Sequence, residues 1–366
     1  MLVHICCSVD SHYFLSELKK IYPSEKMIGF FYNPNIHPRL EHDLRLLDVK
    51  RSCEMLGAEL IEGKYDDEIW SSEVRGLEDE PEKGARCNVC FDVRLIESAK
   101  LAKKLGEKIF TTTLLSSPMK TQDILFSQGE KIAQDFGLEF VKIDVRSQGG
   151  TQRQNELSKK DNLYRQNYCG CKFALQKQRE KQGRFPLEFI SPSHRQVMSG
   201  SIEYRNEVFS KRDRLEREGK PYVLIQQKQL IWRCLSARVE VFGECKKSYI
   251  LTHSQSKKNT RLGSLSWFSP KNFPLKKGKV GISKRDDTML FTLEAFNEIL
   301  GLHYCSLDDL FSSPPSYMLE LSLREKIGFP QSLNPIFVVE REFEEDARVN
   351  IESIFQEEAV FEVLEV

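Results

Sequence analysis

The chain has 366 residues, with 40% hydrophobic residues and zero net charge, a size that suits roughly two domains. No run of about 18 apolar residues occurs, which excludes a helical membrane span. The opening MLVHICCSVDS lacks the basic and apolar sections of a signal peptide, so a cytoplasmic location is expected. Ten cysteines in such a chain point to metal chemistry in a reducing compartment rather than to a disulfide framework.

Taken in chain order, LVHICC (2–7) reads as a short buried strand, and a helix follows around 11–21 with Phe14, Leu15 and Leu18 on one face. MIGFFYN (27–33) is a second strand. RLEHDLRLLDVKRSCEMLG (39–57) repeats apolar residues at three- and four-residue spacing, which predicts an amphipathic helix ending at Gly57. AELIEGKY (58–65) is a third strand. A helix near 89–105 stops at Gly106, and KIFTTTL (108–114) gives a fourth strand. Another helix near 121–136 stops at Gly137, and LEFVKIDV (138–145) gives a fifth. Strands alternating with helices predict an α/β fold with a parallel, Rossmann-like sheet over residues 1–190. Residues 147–166 read as a polar loop leading to a helix over 171–182.

From 191 to 366 the pattern changes to an α+β or mostly β appendage. LIQQKQLIW, LSARVEVFG, KSYILTH, NPIFVVERE and AVFEVLEV read as strands there, with one helix at 292–301. The zero net charge hides an asymmetry in this half. Residues 205–285 carry 20 Lys/Arg against 6 Asp/Glu, whereas residues 286–366 carry 4 against 18. The basic block is either a surface for a polyanion such as RNA or the internal complement of the acidic block.

The cysteines are sorted, not scattered. Cys6 and Cys7 are adjacent, with Asp10 three residues on. Cys87 and Cys90 form a C-x-x-C, and Cys169 and Cys171 form a C-x-C around Gly170. Adjacent thiols bond poorly to each other but can converge on one soft metal. Six thiols exceed the four that a tetrahedral zinc takes, which points to a cluster, or to a cluster with a second metal beside it. Cys53 falls on the apolar face of its helix and reads as a buried hydrophobe.

Ligands of parallel sheets gather beyond the carboxyl ends of the strands. Tyr32, Asn33, Asn35 and His37 in YNPNIHP sit at one such end, and Thr112, Ser117 and Lys120 in TTLLSSPMK sit at another. Tyr164, Arg165 and Gln166 precede the C-x-C and could stack on a base or pair with phosphate. Asp10, Tyr32 and Tyr164 are candidate proton donors. CCSVDS occupies the first strand-to-helix turn, where PP-loop ATP pyrophosphatases place S-G-G-x-D-S. Cys7 and Ser8 replace the glycines that let backbone N–H groups close on phosphate, so the task has changed on a PP-loop, HUP-like frame. Asp10 could alternatively cap the first helix.

Five blocks occur together and in order: HICCSVD (4–10), FYNPNIHP (31–38), GARCNVCFDVRL (84–95), TTLLSSPMK (112–120) and YRQNYCGC (164–171). On these the chain resembles the cobalamin-independent epoxyqueuosine reductases, over residues 1 to about 185. The resemblance implies an oxidoreductase that takes the epoxide oxygen from epoxyqueuosine at the wobble position of tRNA. It implies a 4Fe–4S cluster with an adjacent mononuclear metal, iron or zinc. Cys6, Cys7, Asp10, Cys87, Cys90, Cys169 and Cys171 are the ligands available. No G-x-G-x-x-G dinucleotide fingerprint appears, so an external electron-donor protein is expected. The alternatives are an ATP-dependent tRNA thiolation enzyme of the PP-loop class and a zinc-stabilised RNA-binding protein. The resemblance does not account for residues 190–366.

Overall fold

Five short strands carry the amino-terminal half: β1 (Leu2–Ile5), β2 (Ile28–Phe31), β3 (Glu59–Glu62), β4 (Ile109–Thr112) and β5 (Glu139–Phe140). They form one parallel sheet in the order β3-β2-β1-β4-β5. The expected α/β architecture is therefore present. Between the strands run α1 (Ser8–Ile21), α2 (Arg39–Leu56), α3 (Asp67–Glu73), α4 (Ala85–Leu105) and α5 (Gln122–Phe136). Leu2, Val3, Ile5, Phe31 and Phe110 of the sheet are fully buried against Phe14, Leu15, Leu18, Val49, Leu95 and Ala99 of the helices. Because β1 lies in the middle of the strand order, its carboxyl end opens into the centre of the sheet edge. That is where a doubly wound sheet places ligands. The computed structural model describes residues 1–190 and 196–366.

The polar stretch after β5 differs from expectation. It contains a helix, α6 (Gly150–Lys160), before α7 (Lys172–Lys181). Gly149 enters α6 at φ +81°, and a Cβ on Gly150 would stand 1.8 Å from the Val145 carbonyl oxygen. The helix buries Gln154 and Ser158 rather than an apolar stripe, so hydrophobic periodicity could not reveal it. LEFVKIDV supplies only the two residues of β5.

The later half holds α8 (Ile202–Arg217), β6 (Tyr222–Val241), β7 (Glu244–Lys246), β8 (Ser248–Ile250), β9 (Lys257–Gly263), β10 (Leu265–Phe268), β11 (Val280–Ser283) and β12 (Met289–Thr292). It continues with α9 (Leu293–Leu300), α10 (Leu307–Ser312), α11 (Tyr317–Lys326), β13 (Ile336–Val339) and β14 (Ala347–Glu365). The strands make a mixed sheet, β10-β11-β12-β13-β8, and an antiparallel sheet, β7-β6-β14-β9. LIQQKQLIW and all but the last two residues of LSARVEVFG lie in the single long strand β6, not in two. α8 escaped notice because IEYRNEVFSKRDRLER is too charged to show an apolar stripe.

The chain divides into two compact units. The first is Met1–Gly183 with Val208–Leu224 and Val363–Val366; the second is Arg184–Glu207 with Ile225–Glu362. A single cut at 190/191 was expected, and that point abuts residues 191–195, which lie outside the described residues. No helix among the described residues is long and apolar enough to cross a membrane.

The two charge blocks meet by topology. Acidic β14 lies between basic β6 and β9 in one sheet. Lys211, Lys228, Lys247, Lys257, Arg261 and Lys279 of the basic block pair with Glu365, Glu357, Asp308, Asp286, Asp346 and Glu342 of the acidic one. Internal neutralisation is thus realised for these six cations.

Candidate metal centre

Backbone geometry at the end of β1 sets the first group of candidate ligands. Cys7 is the N-cap of α1, so Asp10 stands in the first helical turn and does not cap it. One turn brings Asp10 Oδ2 to 3.3 Å from Cys6 Sγ, and Cys6 Sγ lies 3.8 Å from Cys7 Sγ. The three donor atoms lie within 4.8 Å of one another, and all three residues are buried. Thr113 Oγ1 accepts the Cys6 N–H at 3.1 Å, and Gln154 Nε2 donates to Asp10 Oδ1 at 2.7 Å. Burial raises the Asp10 carboxyl, opposed by hydrogen bonds from Cys6, Cys7 and Gln154. The hydrogen bond with Cys6, then burial and Asp10, push the Cys7 thiol well up.

The second group combines two segments. Cys87 and Cys90 occupy the first turns of α4, whose N-terminal end favours negative charge. Cys169 and Cys171 flank Gly170, whose φ of +104° a β-carbon-bearing residue rarely adopts. A Cβ there would also crowd Ile36 and Arg45. All four cysteines line one cavity of about 20 Å³, together with Asn35, Arg86, Arg94 and Lys120. Cys169 and Cys171 share a hydrogen: their hydrogen bond lowers the Cys169 thiol well below its ordinary value and raises that of Cys171. Burial raises Cys87, opposed by Lys120.

Cys169 also links the two groups. With Cys6, Cys7 and Asp10 it lines a larger cavity of about 270 Å³, bounded as well by Asn33, Ser117, Lys120, Arg165 and Gln166. Arg146 fastens the 113–120 loop by donating to the carbonyls of Leu114, Leu115 and Lys120. Lys120 is 9% exposed and faces both cavities. Burial pulls its ammonium down, but Cys169, Cys87 and Glu82 outweigh that and hold it above the usual lysine range.

Not every expected residue reaches this place. Tyr32 lines neither cavity; its ring stacks on Phe30, and burial pushes its hydroxyl up to about 12. Tyr164 lies away from both, donating to Glu41 Oε2 at 2.9 Å. His37 packs against Tyr65 and Trp70, and Thr112 is bonded to His4 Nδ1 at 2.8 Å. Cys53 is buried in the apolar core, as expected. Conversely, Arg45, Arg94 and Gln154 line the larger cavity without having been singled out. Arg94 Nη2 donates to Asn33 Oδ1 at 2.6 Å, and Asn33 Nδ2 to the Ile5 carbonyl at 2.8 Å. Arg94 follows Cys90 by one helical turn, a spacing that could have found it. Arg45 and Gln154 carry no such signal.

Comparison with known proteins settles the kinship. A family model described as "Epoxyqueuosine reductase QueH" matches residues 1–177. Epoxyqueuosine reductase QueH of Helicobacter pylori is 43% identical over 379 aligned positions, covering 100% of both chains. The chain belongs to the epoxyqueuosine reductase QueH family. QueH of Histophilus somni is 35% identical over 193 positions, covering 51% of this chain and 78% of its own. The family model thus ends before α8, while the Helicobacter relative shares the whole length. The solved U34-tRNA thiolase NcsA from Methanococcus maripaludis with its [4Fe-4S] cluster is 13% identical, covering 59% of this chain and 72% of its own. Its TM-score is 0.32, a level at which the likeness supports no argument. As a QueH family member the chain is an oxidoreductase, an epoxyqueuosine reductase.

Proposed function

We propose that this chain reduces epoxyqueuosine to queuosine within tRNA in the cytoplasm, with electrons from a separate donor protein. Overall, the epoxide loses its oxygen as water, consuming two electrons and two protons and leaving a carbon–carbon double bond. The observation that carries this reading is the division of the ligands into two sets that meet at Cys169. Four thiols around one small cavity suit a 4Fe–4S cluster held by Cys87, Cys90, Cys169 and Cys171. Two thiols and a carboxylate suit a single iron or zinc ion held by Cys6, Cys7 and Asp10, with a position left for substrate. When bound, the cluster would supply single electrons and the ion a Lewis-acidic partner for the departing oxygen.

The remaining residues hold and orient. Gln154 fixes the Asp10 carboxylate. Lys120, Arg45 and Arg94 bring positive charge to a cavity walled by thiolates, which offsets the cost of burying anions there. Asn33, Ser117, Lys120, Arg165 and Gln166 offer donors and acceptors to the substrate in the larger cavity, and Asn35 faces the smaller one. Tyr32 and Tyr164, outside both, are assigned no proton transfer.

The test uses anaerobically purified protein. Iron and sulfide are counted, the visible spectrum recorded, and an anticodon stem-loop carrying epoxyqueuosine incubated with the protein and a chemical reductant. Queuosine is expected, together with a brown chromophore that Cys169→Ser removes. A colourless zinc protein that releases pyrophosphate from ATP in the presence of tRNA would sink this reading in favour of the thiolation enzyme.

A further inference from the structure

α2 carries Glu41, Arg45 and Asp48 at helical spacing on one face. All three are buried, with Glu41 and Asp48 wholly inaccessible. The stripe faces the segment that ends in Cys169 and Cys171. Glu41 Oε2 accepts the Tyr164 hydroxyl, Arg45 Nη2 donates to the Tyr168 carbonyl at 3.1 Å, and Asp48 Oδ2 accepts the Tyr164 N–H at 2.7 Å. The same Asp48 oxygen accepts the hydroxyl of Ser8, the residue after Cys7. One carboxylate therefore touches both thiol-bearing loops.

The counter-charge of that carboxylate comes from far along the chain. Arg212 of α8 lies 2.7 Å from Asp48 Oδ1, and neither side chain is accessible to solvent. Arg212 Nη1 also donates to the Asn162 carbonyl at 2.7 Å, and Phe209 of α8 packs edge-on against the Tyr164 ring. All of these residues belong to the first compact unit. A buried carboxylate deprived of its ion-pair partner is strongly penalised, so Asp48 depends on Arg212 to be held in place.

We propose that Arg212 is a positioning residue for the metal centre. Through Asp48 and the Asn162 carbonyl it sets the loop bearing Cys7 against the segment bearing Cys169 and Cys171. α8, which lies beyond the family model, is in this chain a working part of the catalytic unit. The metal half of this inference rests on the function proposed above; the bracing half does not.

The experiment therefore reads both. In full-length protein, Arg212→Met is compared with Arg51→Met. Arg51 binds Glu216 of the same helix through two hydrogen bonds, at 2.6 and 2.7 Å. Its loss loosens α8 without removing the partner of Asp48. Backbone amide exchange in Arg212→Met is expected to rise about tenfold in the segments around residues 5–9 and 162–171, where local opening is no longer opposed. Iron retention under a chelator should fall in parallel, with an altered iron spectrum. Arg51→Met should show wild-type exchange in both segments and wild-type iron. Arg212→Lys, which keeps the charge, should lie between and serves if the Met variant fails to fold. Wild-type exchange in Arg212→Met or Arg212→Lys overturns the proposal, as does an equal rise in Arg51→Met. If exchange responds as expected in a protein that binds no iron, the brace stands and the metal reading falls.

Discussion

The two compact units aim their buried charges at different things. In the first, Glu41, Arg45, Asp48, Arg86, Arg94 and Arg212 are buried, each directed at a loop, a carbonyl or a cavity wall. In the second, most ion pairs have at least one exposed partner, as in Arg261–Asp346 and Lys279–Glu342. Glu320, Arg324 and Arg233 are buried there as well, but they hold groups of the second unit itself: Glu320 accepts from Tyr249 and the Thr252 N–H, and Arg324 donates to the Thr252 carbonyl. Buried charges are costly unless paired, so where they persist they hold geometry; exposed pairs contribute little to stability. The first unit spends its charge on placing thiols, and the second on keeping a strongly segregated sequence neutral.

The sharpest way to break this comparison is Arg45→Met, which leaves Glu41 buried without its partner at 2.8 Å. Denaturant unfolding should show a loss of about 3–5 kcal/mol. A loss below about 1 kcal/mol, the level of an exposed pair, would erase the contrast between the units.

Acid should separate them next. Burial lowers His4, His12, His37 and His42 in the first unit. In the second unit burial and Arg324 lower His253 to about 4. A histidine whose folded pKa is depressed binds its proton more readily when unfolded. Its stabilisation is complete above the unfolded value near 6.5 and is lost as pH falls from there toward the folded value. Thermal unfolding midpoints should therefore drop between pH 7 and pH 5. His253→Gln should flatten that drop for the transition of the second unit alone. A slope unaltered by the substitution would show that His253 titrates normally.

A smaller effect is expected for tRNA. Lys258, Lys271, Lys276 and Lys277 are exposed, and their ammonium groups make no ion pair among the described residues. Exchanging all four for Glu should weaken full-length tRNA binding several-fold and shallow its salt dependence, since fewer counterions are released. Reduction of a short anticodon stem-loop should change less. Unchanged tRNA affinity and slope would make the whole basic block an internal complement of the acidic one. Smallest of all, Arg261→Ala should cost under about 1 kcal/mol, measured in the same denaturant assay.

Much of the first unit could be read from the chain. Alternating buried strands and amphipathic helices locate the parallel sheet, and paired cysteines at its carboxyl edge locate the centre. Gly170 signals the turn that its φ of +104° requires. What escaped is polar. α6 and α8 have no continuous apolar stripe, because one buries Gln154 and Ser158 and the other Arg212. Arg45 and Asp48 look like surface residues of an amphipathic helix until the 164–171 segment covers them. Tyr32 and Tyr164 stand close to cavity-lining residues in sequence, yet their rings pack on Phe30 and Phe209 and line neither cavity. Proximity along the chain finds ligands that share a turn, while residues that meet only in three dimensions leave no local mark.

The return of residues 208–224 to the first unit has a consequence in time. Synthesis proceeds at about 5–20 residues per second. The sheet and all six paired thiols are therefore made well before Arg212 leaves the ribosome. During that interval Asp48 has no cationic partner, and the two thiol-bearing loops are joined only through groups on α2. Residues Val363–Val366 arrive later still, where the Val366 N–H donates to the Pro221 carbonyl at 3.2 Å. With the metal centre proposed above, metal acquisition in the cell is expected to follow synthesis of residue 212, and nascent chains stalled before it should carry thiols that no metal yet protects.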